Sequence, residues 1–188
     1  LVAPYVRLLP HLMKDLCYLG CCVRGPEDGR RAVYLRANYP KVPGLEQRTA
    51  QAWLLRRFLE RYGPVTLADM VYWSGLRAPV VKDLVQEMAS ELALVAIDGQ
   101  GKPAFLLAEQ LPMLLSQSQE VLLPEQYLPA YDVLLLGYKD KARFLQDQHL
   151  RKVFLSAARV CPTILRNGRI EGTWRRGEAG VEVDWFDR

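Results

Sequence analysis

The stretch GPVTLADMVYWSGLRAPVVKDLVQEMASELALVAIDGQGKPAFLL, from Gly63 to Leu107, constrains this chain more than any other. Thr66 is a strong N-cap, because its hydroxyl accepts a bond from a free backbone N–H of a first helical turn. Leu67, Met70 and Val71 then recur at helical spacing. Gly75 stops that helix, since glycine takes the left-handed conformation a turn requires. Pro79 fits the first turn of the next helix, where its missing N–H costs nothing. Val80, Val81, Leu84, Val85, Met88 and Leu92 line one face of it. Two strand-like runs follow, Leu94 to Ile97 and Ala104 to Leu107, with Asp98-Gly99-Gln100-Gly101 between them as turn chemistry. Helix, turn, helix and hairpin in that order predict a winged helix. That architecture serves DNA binding and protein docking alike, so it fixes fold before function.

A second copy is visible when the sequence is displaced against itself by 72 positions. LMKDLCYLGCCVRGPEDGRRAVYL, from Leu12, falls on LVQEMASELALVAIDGQGKPAFLL, from Leu84. Val23 meets Val95, Gly29 meets Gly101, Arg30 meets Lys102 and Leu35 meets Leu107. The residue classes agree in order: apolar helix end, strand, glycine turn, strand. The expectation is a tandem winged helix. Two helices precede the recognition helix of the second copy, at 45–62 and 66–74, and the first copy has no residues for their counterparts. With no initiator Met, the chain reads as the later part of a longer protein, cut inside a winged helix.

Beyond a short helix at 108–115 the texture changes to brief strand-like runs: VLL at 121–123, YDVLLLG at 131–137, PTILR at 162–166, RIEGTW at 169–174 and VEVDWF at 181–186. Asn167-Gly168 is a strong two-residue hairpin signal. The expectation is a small antiparallel β-barrel with a helix near 148–155. The whole is an α+β chain in three parts: residues 1–43, the end of a recognition helix and its wing; 44–118, a complete winged helix; and 119–188, the barrel.

No apolar run approaches the roughly 20 residues of a membrane helix, and the start carries no signal-peptide pattern. Cys17, Cys21, Cys22 and Cys161 lack CxxC spacing, and His11 and His149 stand far apart, so no metal and no cofactor are expected. Free thiols without a framework point to a reducing, cytoplasmic setting, and a monomer is expected. GxSxG, HExxH and phosphate-loop patterns are absent, and no cysteine has a plausible histidine partner, so no catalytic residue is assigned. Asp132, within an apolar run, needs a partner: Lys139, Arg143 or a backbone turn.

The net charge of +4 is unevenly divided. Residues 24–62 hold nine Lys/Arg against four acids, 63–138 three against nine, and 139–176 ten against three. The recognition helix offers only Arg77 and Lys82 against Asp83, Glu87 and Glu91. That is a poor surface for phosphates, where Lys and Arg supply most of the affinity. On the helix at 45–62 the arginines read as a solvated face, with Arg56 pairing Glu60 at i,i+4. The candidates for DNA contact are therefore Lys139, Lys141, Arg143, Arg166, Arg169, Arg175 and Arg176 of the barrel, with Arg30, Arg31 and Arg36 of the first wing. Trp174 reads as a core residue.

Three stretches, YGPVTLADMVYWSGL at 62–76, LPAYDVLLLGYKDKAR at 128–143 and PTILRNGRIEGTWRR at 162–176, resemble the winged-helix DNA glycosylases of the AlkZ type, which release alkylated bases and unhook interstrand crosslinks. The resemblance implies tandem winged helices before a β-barrel, with double-stranded DNA as partner. It also implies a catalytic motif of Gln, one residue, then Gln or Asp, in a half that precedes the residues matched here. Gln117-Ser118-Gln119 and Gln146-Asp147-Gln148 have the same spacing but stand in a linker and in the barrel, outside the matching position. The chain is expected to hold DNA and to lack the active site. A winged-helix transcription regulator without enzymatic activity and a protein-interaction module are the alternatives.

Overall fold

The computed structural model describes residues 5–26, 32–37, 44–97, 100–116 and 124–186. They fall into two compact units, 1–44 and 45–188, of mixed helix and strand.

In the first unit, α1 (Tyr5–Tyr18) leads to an antiparallel pair, β1 (Cys22–Arg24) and β2 (Tyr34–Arg36). Gly20, at φ +70°, lets the chain leave the helix while Cys21 N–H still reaches the carbonyl of Leu16 at 2.8 Å. The returning strand brings Cys22 Sγ to 3.4 Å from Cys17 Sγ. Arg36 ends β2 exposed; Arg30 and Arg31 lie outside the described residues.

The second unit opens with α2 (Gln47–Tyr62), capped by the Glu46 carboxylate, which accepts from Thr49 N–H at 2.9 Å. Leu55, Phe58 and Leu59 form its buried face. Next comes α3 (Leu67–Ser74), with a reciprocal capping box: Thr66 accepts from Asp69 N–H at 3.2 Å and Asp69 from Thr66 N–H at 2.9 Å. Gly75 closes it at φ +69°. Then α4 (Ala78–Glu87) starts on Pro79 and buries Val81, Leu84 and Val85. Antiparallel β3 (Leu92–Ile97) and β4 (Gln100–Leu107) follow. Val65 adds a bridge to Phe105, with backbone bonds of 2.9 and 2.7 Å. The Asp98-Gly99 part of the expected turn lies outside the described residues. Displaced by 72 positions, α1, β1 and β2 fall on α4, β3 and β4, but the pairing differs: Val23 faces Leu35, whereas Val95 faces Ala104.

A 3₁₀ turn at Ala108–Gln110 and α5 (Leu111–Ser116) lead onward, and β5 is Gln126–Leu128. Residues 131–137, expected as a strand, form a helix instead, α6 (Val133–Gly137). The cause is Asp132, whose carboxylate accepts from Leu134 N–H at 2.8 Å and so caps the first turn. This is the backbone-turn partner among those expected for it. The helix expected near 148–155 is shorter: a 3₁₀ turn at Asp147–His149, then α7 (Leu150–Val153), then the small pair β6 (Phe154–Leu155) and β7 (Arg159–Val160). The chain ends in β8 (Thr163–Arg166), β9 (Arg169–Gly177) and β10 (Gly180–Trp185).

These last strands make an antiparallel sheet of order β10-β9-β8-β5. It is an open sheet. Among the described residues no pairing joins β10 to β5, so the expected closed barrel is not formed. Residues 133–137 and 150–153 go to helices, β6 and β7 pair only with each other, and the four strands of the sheet are too few to curl shut, since even small closed barrels use about eight. The sheet's inner face joins the helical core: Leu55, Phe58, Met70 and Leu84 belong to one buried cluster with Leu135, Phe144, Ile170 and Phe186. Tyr138 Oη donates to the carbonyl of Tyr62 at 2.6 Å, tying the two regions together.

Candidate nucleic-acid interface

Strands β8 and β9 meet in a two-residue turn, Asn167-Gly168, at φ +49° and +76°. Both positive angles match the right-handed twist of a hairpin, which is why Asn-Gly is favoured there. The turn places Arg166 and Arg169 directly opposite each other. Like charges so placed repel, and the protein resolves this by engaging one of them. Arg166 reaches the Glu125 carboxylate at 2.6 Å and that of Glu171 at 3.4 Å, and its guanidinium lies 4.2 Å from the centroid of Trp185. The bond from Arg166 holds the Glu125 carboxyl below the usual glutamate range, assisted by Tyr127. Arg169 is exposed and has no carboxylate within 4.0 Å among the described residues.

A β-bulge sits just behind the tip. Ile164 faces Gly172 and Leu165 faces Ile170, which leaves Glu171 as the extra residue on β9. Bulges re-aim side chains; here the carboxylate of Glu171 turns to Arg166 while its carbonyl accepts from Phe186 N–H at 2.8 Å. Gly172 lies opposite Trp185 on β10. A Cβ there would stand 3.3 Å from Trp185 Cε3 and 2.8 Å from the carbonyl oxygen of Asp184, so glycine lets the indole lie against the sheet.

Beside the hairpin is a groove of about 370 Å³. Its floor is Phe144, Ile170 and Phe186, with buried His149 stacked on Phe186 at 4.6 Å. Arg166 and Trp185 form one wall, and Arg169 and Gln146 stand at the rim. Gln146 Oε1 accepts from Gln148 Nε2 at 2.9 Å, and Lys152 Nζ lies 5.2 Å from the Phe186 ring. Sequence reasoning missed Trp185, Gln146, His149 and Lys152 as a group. The available signal was Trp185 ending an alternating strand next to an arginine hairpin; Gln146 stood out only for the Gln-x-Gln spacing it shares with Gln148, which says nothing of a place beside that hairpin.

The other sequence candidates are spread more widely. Arg175 pairs with Glu182 at 2.6 Å in a strongly exposed bridge, and Arg176 is exposed beside it. Lys139 donates its backbone N–H to Asp69 Oδ1 at 2.8 Å, and its side chain borders a shallow hollow with Lys82 and Tyr72. Lys141 and Arg143 turn inward. The ammonium of Lys141 donates to the carbonyl of Tyr138 and lies 4.9 Å from the Tyr72 ring; desolvation pulls its pKa below the ordinary lysine value. Arg143 donates twice to the carbonyl of Pro64 and stacks 4.6 Å from the Tyr138 ring. No group of three metal-ligating side chains occurs among the described residues.

Glu87 at the end of α4 and Glu91 in the 3₁₀ turn after it (Ala89–Glu91) are also engaged. Glu87 meets Arg48 at 2.5 Å, and Glu91 meets Arg56 at 2.6 Å. Arg56 therefore pairs away from its own helix, with Glu109 as a second partner at 3.6 Å, and Glu60 takes Arg57 at 2.8 Å in place of the expected Arg56. Basic α2 and acidic α4 offset one another in space, a cancellation invisible to counts along the chain.

Among known proteins, the profile described as DNA glycosylase AlkZ-like matches residues 5–184. An interstrand DNA cross-link repair glycosylase of Streptomyces sahachiroi is 25% identical over 173 residues, covering 87% of this chain and 45% of that protein. The structure of Streptomyces sahachiroi DNA glycosylase AlkZ aligns with a TM-score of 0.80 at 24% identity, over 98% of this chain and 52% of that one. The chain thus spans about half the length of the relatives it matches. Among the described residues no helix is long and apolar enough to cross a membrane. With a match that runs through both units and the β8–β9 hairpin, this chain belongs to the AlkZ-like DNA glycosylase family.

Proposed function

We propose that this chain is the DNA-binding portion of a DNA repair glycosylase acting on alkylated or crosslinked bases, with the catalytic Gln-x-Gln/Asp motif upstream of it. In this reading residues 1–43 end a first winged helix, 44–118 form a second, and 119–188 form the part that grips double-stranded DNA as a monomer in the cytoplasm. The observation that carries it is the β8–β9 tip, where a tight two-residue turn presents Arg169, with no carboxylate partner among the described residues, beside an aromatic, polar groove. An arginine so placed points a fork of N–H donors at phosphate. Arg176 and Lys139 extend the surface, while Lys141 and Arg143 brace it from within. The relative named for cross-link repair supports the choice of lesion. A glycosylase must hold the duplex deformed while a base leaves the stack, and this is the task assigned here.

Titrating a labelled duplex with the 188-residue chain at two salt concentrations, and assaying free base from methylated DNA, tests both parts. The expected result is salt-dependent duplex binding and no base release. Release above buffer that Gln146→Ala abolishes would place an active site in this chain and overturn the proposal.

A further inference from the structure

We infer that the groove between the β8–β9 hairpin and Trp185 binds a single unpaired nucleotide, its base laid against the Arg166–Trp185 wall and its phosphate on Arg169. This rests on the DNA-binding reading above and adds the ligand of that site: a nucleotide displaced from the double helix, as distinct from the duplex surface.

Four features of the groove select such a ligand. Its volume, about 370 Å³, lies in the range of clefts that enclose small molecules, roughly 300–1,000 Å³. A duplex backbone is tracked by open stripes of charge and has no use for such a recess. Its wall is flat and held in place. Glu125 and Glu171 both pair with Arg166, and its guanidinium lies 4.2 Å from the ring centroid of Trp185, which nonetheless stays 42% exposed. Unstacked bases are captured by aromatic rings and guanidinium planes of this kind.

The charge pattern is the third feature. Arg166 is offset by two carboxylates, so the recess itself suits a flat, weakly charged group, while Arg169 at the rim supplies one cation for one phosphate. The fourth is a polar edge facing an apolar floor. Gln146 uses its amide oxygen on Gln148, and its NH₂ has no partner among the described residues. An amide of that kind can address the hydrogen-bonding edge of a base. Phe144, Ile170 and Phe186 give the recess an apolar floor for the face of a base.

The test compares two duplexes of identical flanking sequence, one fully paired and one with a single-nucleotide bulge. The 188-residue chain should bind the bulged duplex about ten-fold more tightly, within the range measured for stacking one base on an aromatic side chain. Trp185→Ala should bring the bulged duplex down to the affinity of the paired one. Because losing Trp185 from an edge strand could unfold the sheet, a second measurement uses 2-aminopurine as the bulged base. Its fluorescence should be quenched on binding wild-type protein and less so with Gln146→Ala. Equal affinity for the two duplexes, or no quenching, overturns the inference and leaves the DNA-binding reading standing. Binding to neither duplex overturns both.

Discussion

Both terminal nitrogens of Arg143 donate to the carbonyl oxygen of Pro64, each at 3.1 Å. The contact joins the loop after α6 to the turn between α2 and α3, as does the bond from Lys139 N–H to Asp69 at the start of α3. A charged donor on a part-buried carbonyl contributes about 1.5–3 kcal/mol. Arg143→Ala should therefore lower the urea midpoint by a corresponding amount. It should leave the salt dependence of duplex binding unchanged, because this side chain faces the protein. Urea melts and salt titrations of the same variant check both statements.

The two hairpin arginines should separate cleanly. Arg169→Ala should weaken duplex binding and reduce the salt slope by about one phosphate contact. Arg166→Ala removes the partner of Glu125 and Glu171 and should lower stability without reducing that slope. Changing Arg77 and Lys82 together should do little. Binding isotherms from about 50 to 200 mM salt decide it. A large loss from the α4 pair, with none from Arg169, would restore the recognition helix as the element that reads DNA.

Glu125 has its pKa lowered in the folded protein, chiefly by its hydrogen bond from Arg166. A carboxylate shifted down contributes stability that is fully present above its unfolded value, about 4.3, and is lost as pH falls through the lowered folded value. Thermal unfolding of wild type and Glu125→Gln should thus differ at neutral pH, and the gap should close as the pH drops toward 3. A gap that persists in acid would remove the ion pair as its cause.

Thiol reactivity should rank the cysteines of the first unit. Cys21 is exposed, whereas Cys22 is buried and its pKa is raised by that burial and by Cys17 beside it. Thiolate is the reactive form. A disulfide reagent should label Cys21 first and Cys22 last, and Cys17→Ser should speed Cys22. Time-resolved thiol titration followed by peptide mapping reads the order.

What sequence alone disclosed depended on distance along the chain. Thr66, Gly75, Pro79 and Asn167-Gly168 act on residues within a turn of themselves, and each is found in the expected conformation. The apolar run at 131–137 misled because a short hydrophobic stretch carries no period that separates strand from helix. The deciding residue was the capping Asp132. Arg56 misled because a local acid, Glu60, was preferred over Glu91, which is 35 positions away and nearer in space. The site divides in the same way. Arg169 at its tip was legible from the Asn-Gly turn. The engagement of Arg166 was not, because Glu125 lies 41 residues upstream and meets it only when β5 pairs with β8. Lys141 and Arg143 look identical in sequence to surface cations; only packing shows that they point inward.

Gly172 sets the depth of the groove from behind its own wall. No ligand in the recess would touch it, yet any side chain there meets the backbone of Asp184 at 2.8 Å and the indole of Trp185 at 3.3 Å. Widening or narrowing the cleft therefore needs no change among the residues that line it. A methyl group at position 172 would press on the indole and on the β10 backbone, so the shape of the cleft depends on a position that its own lining does not include.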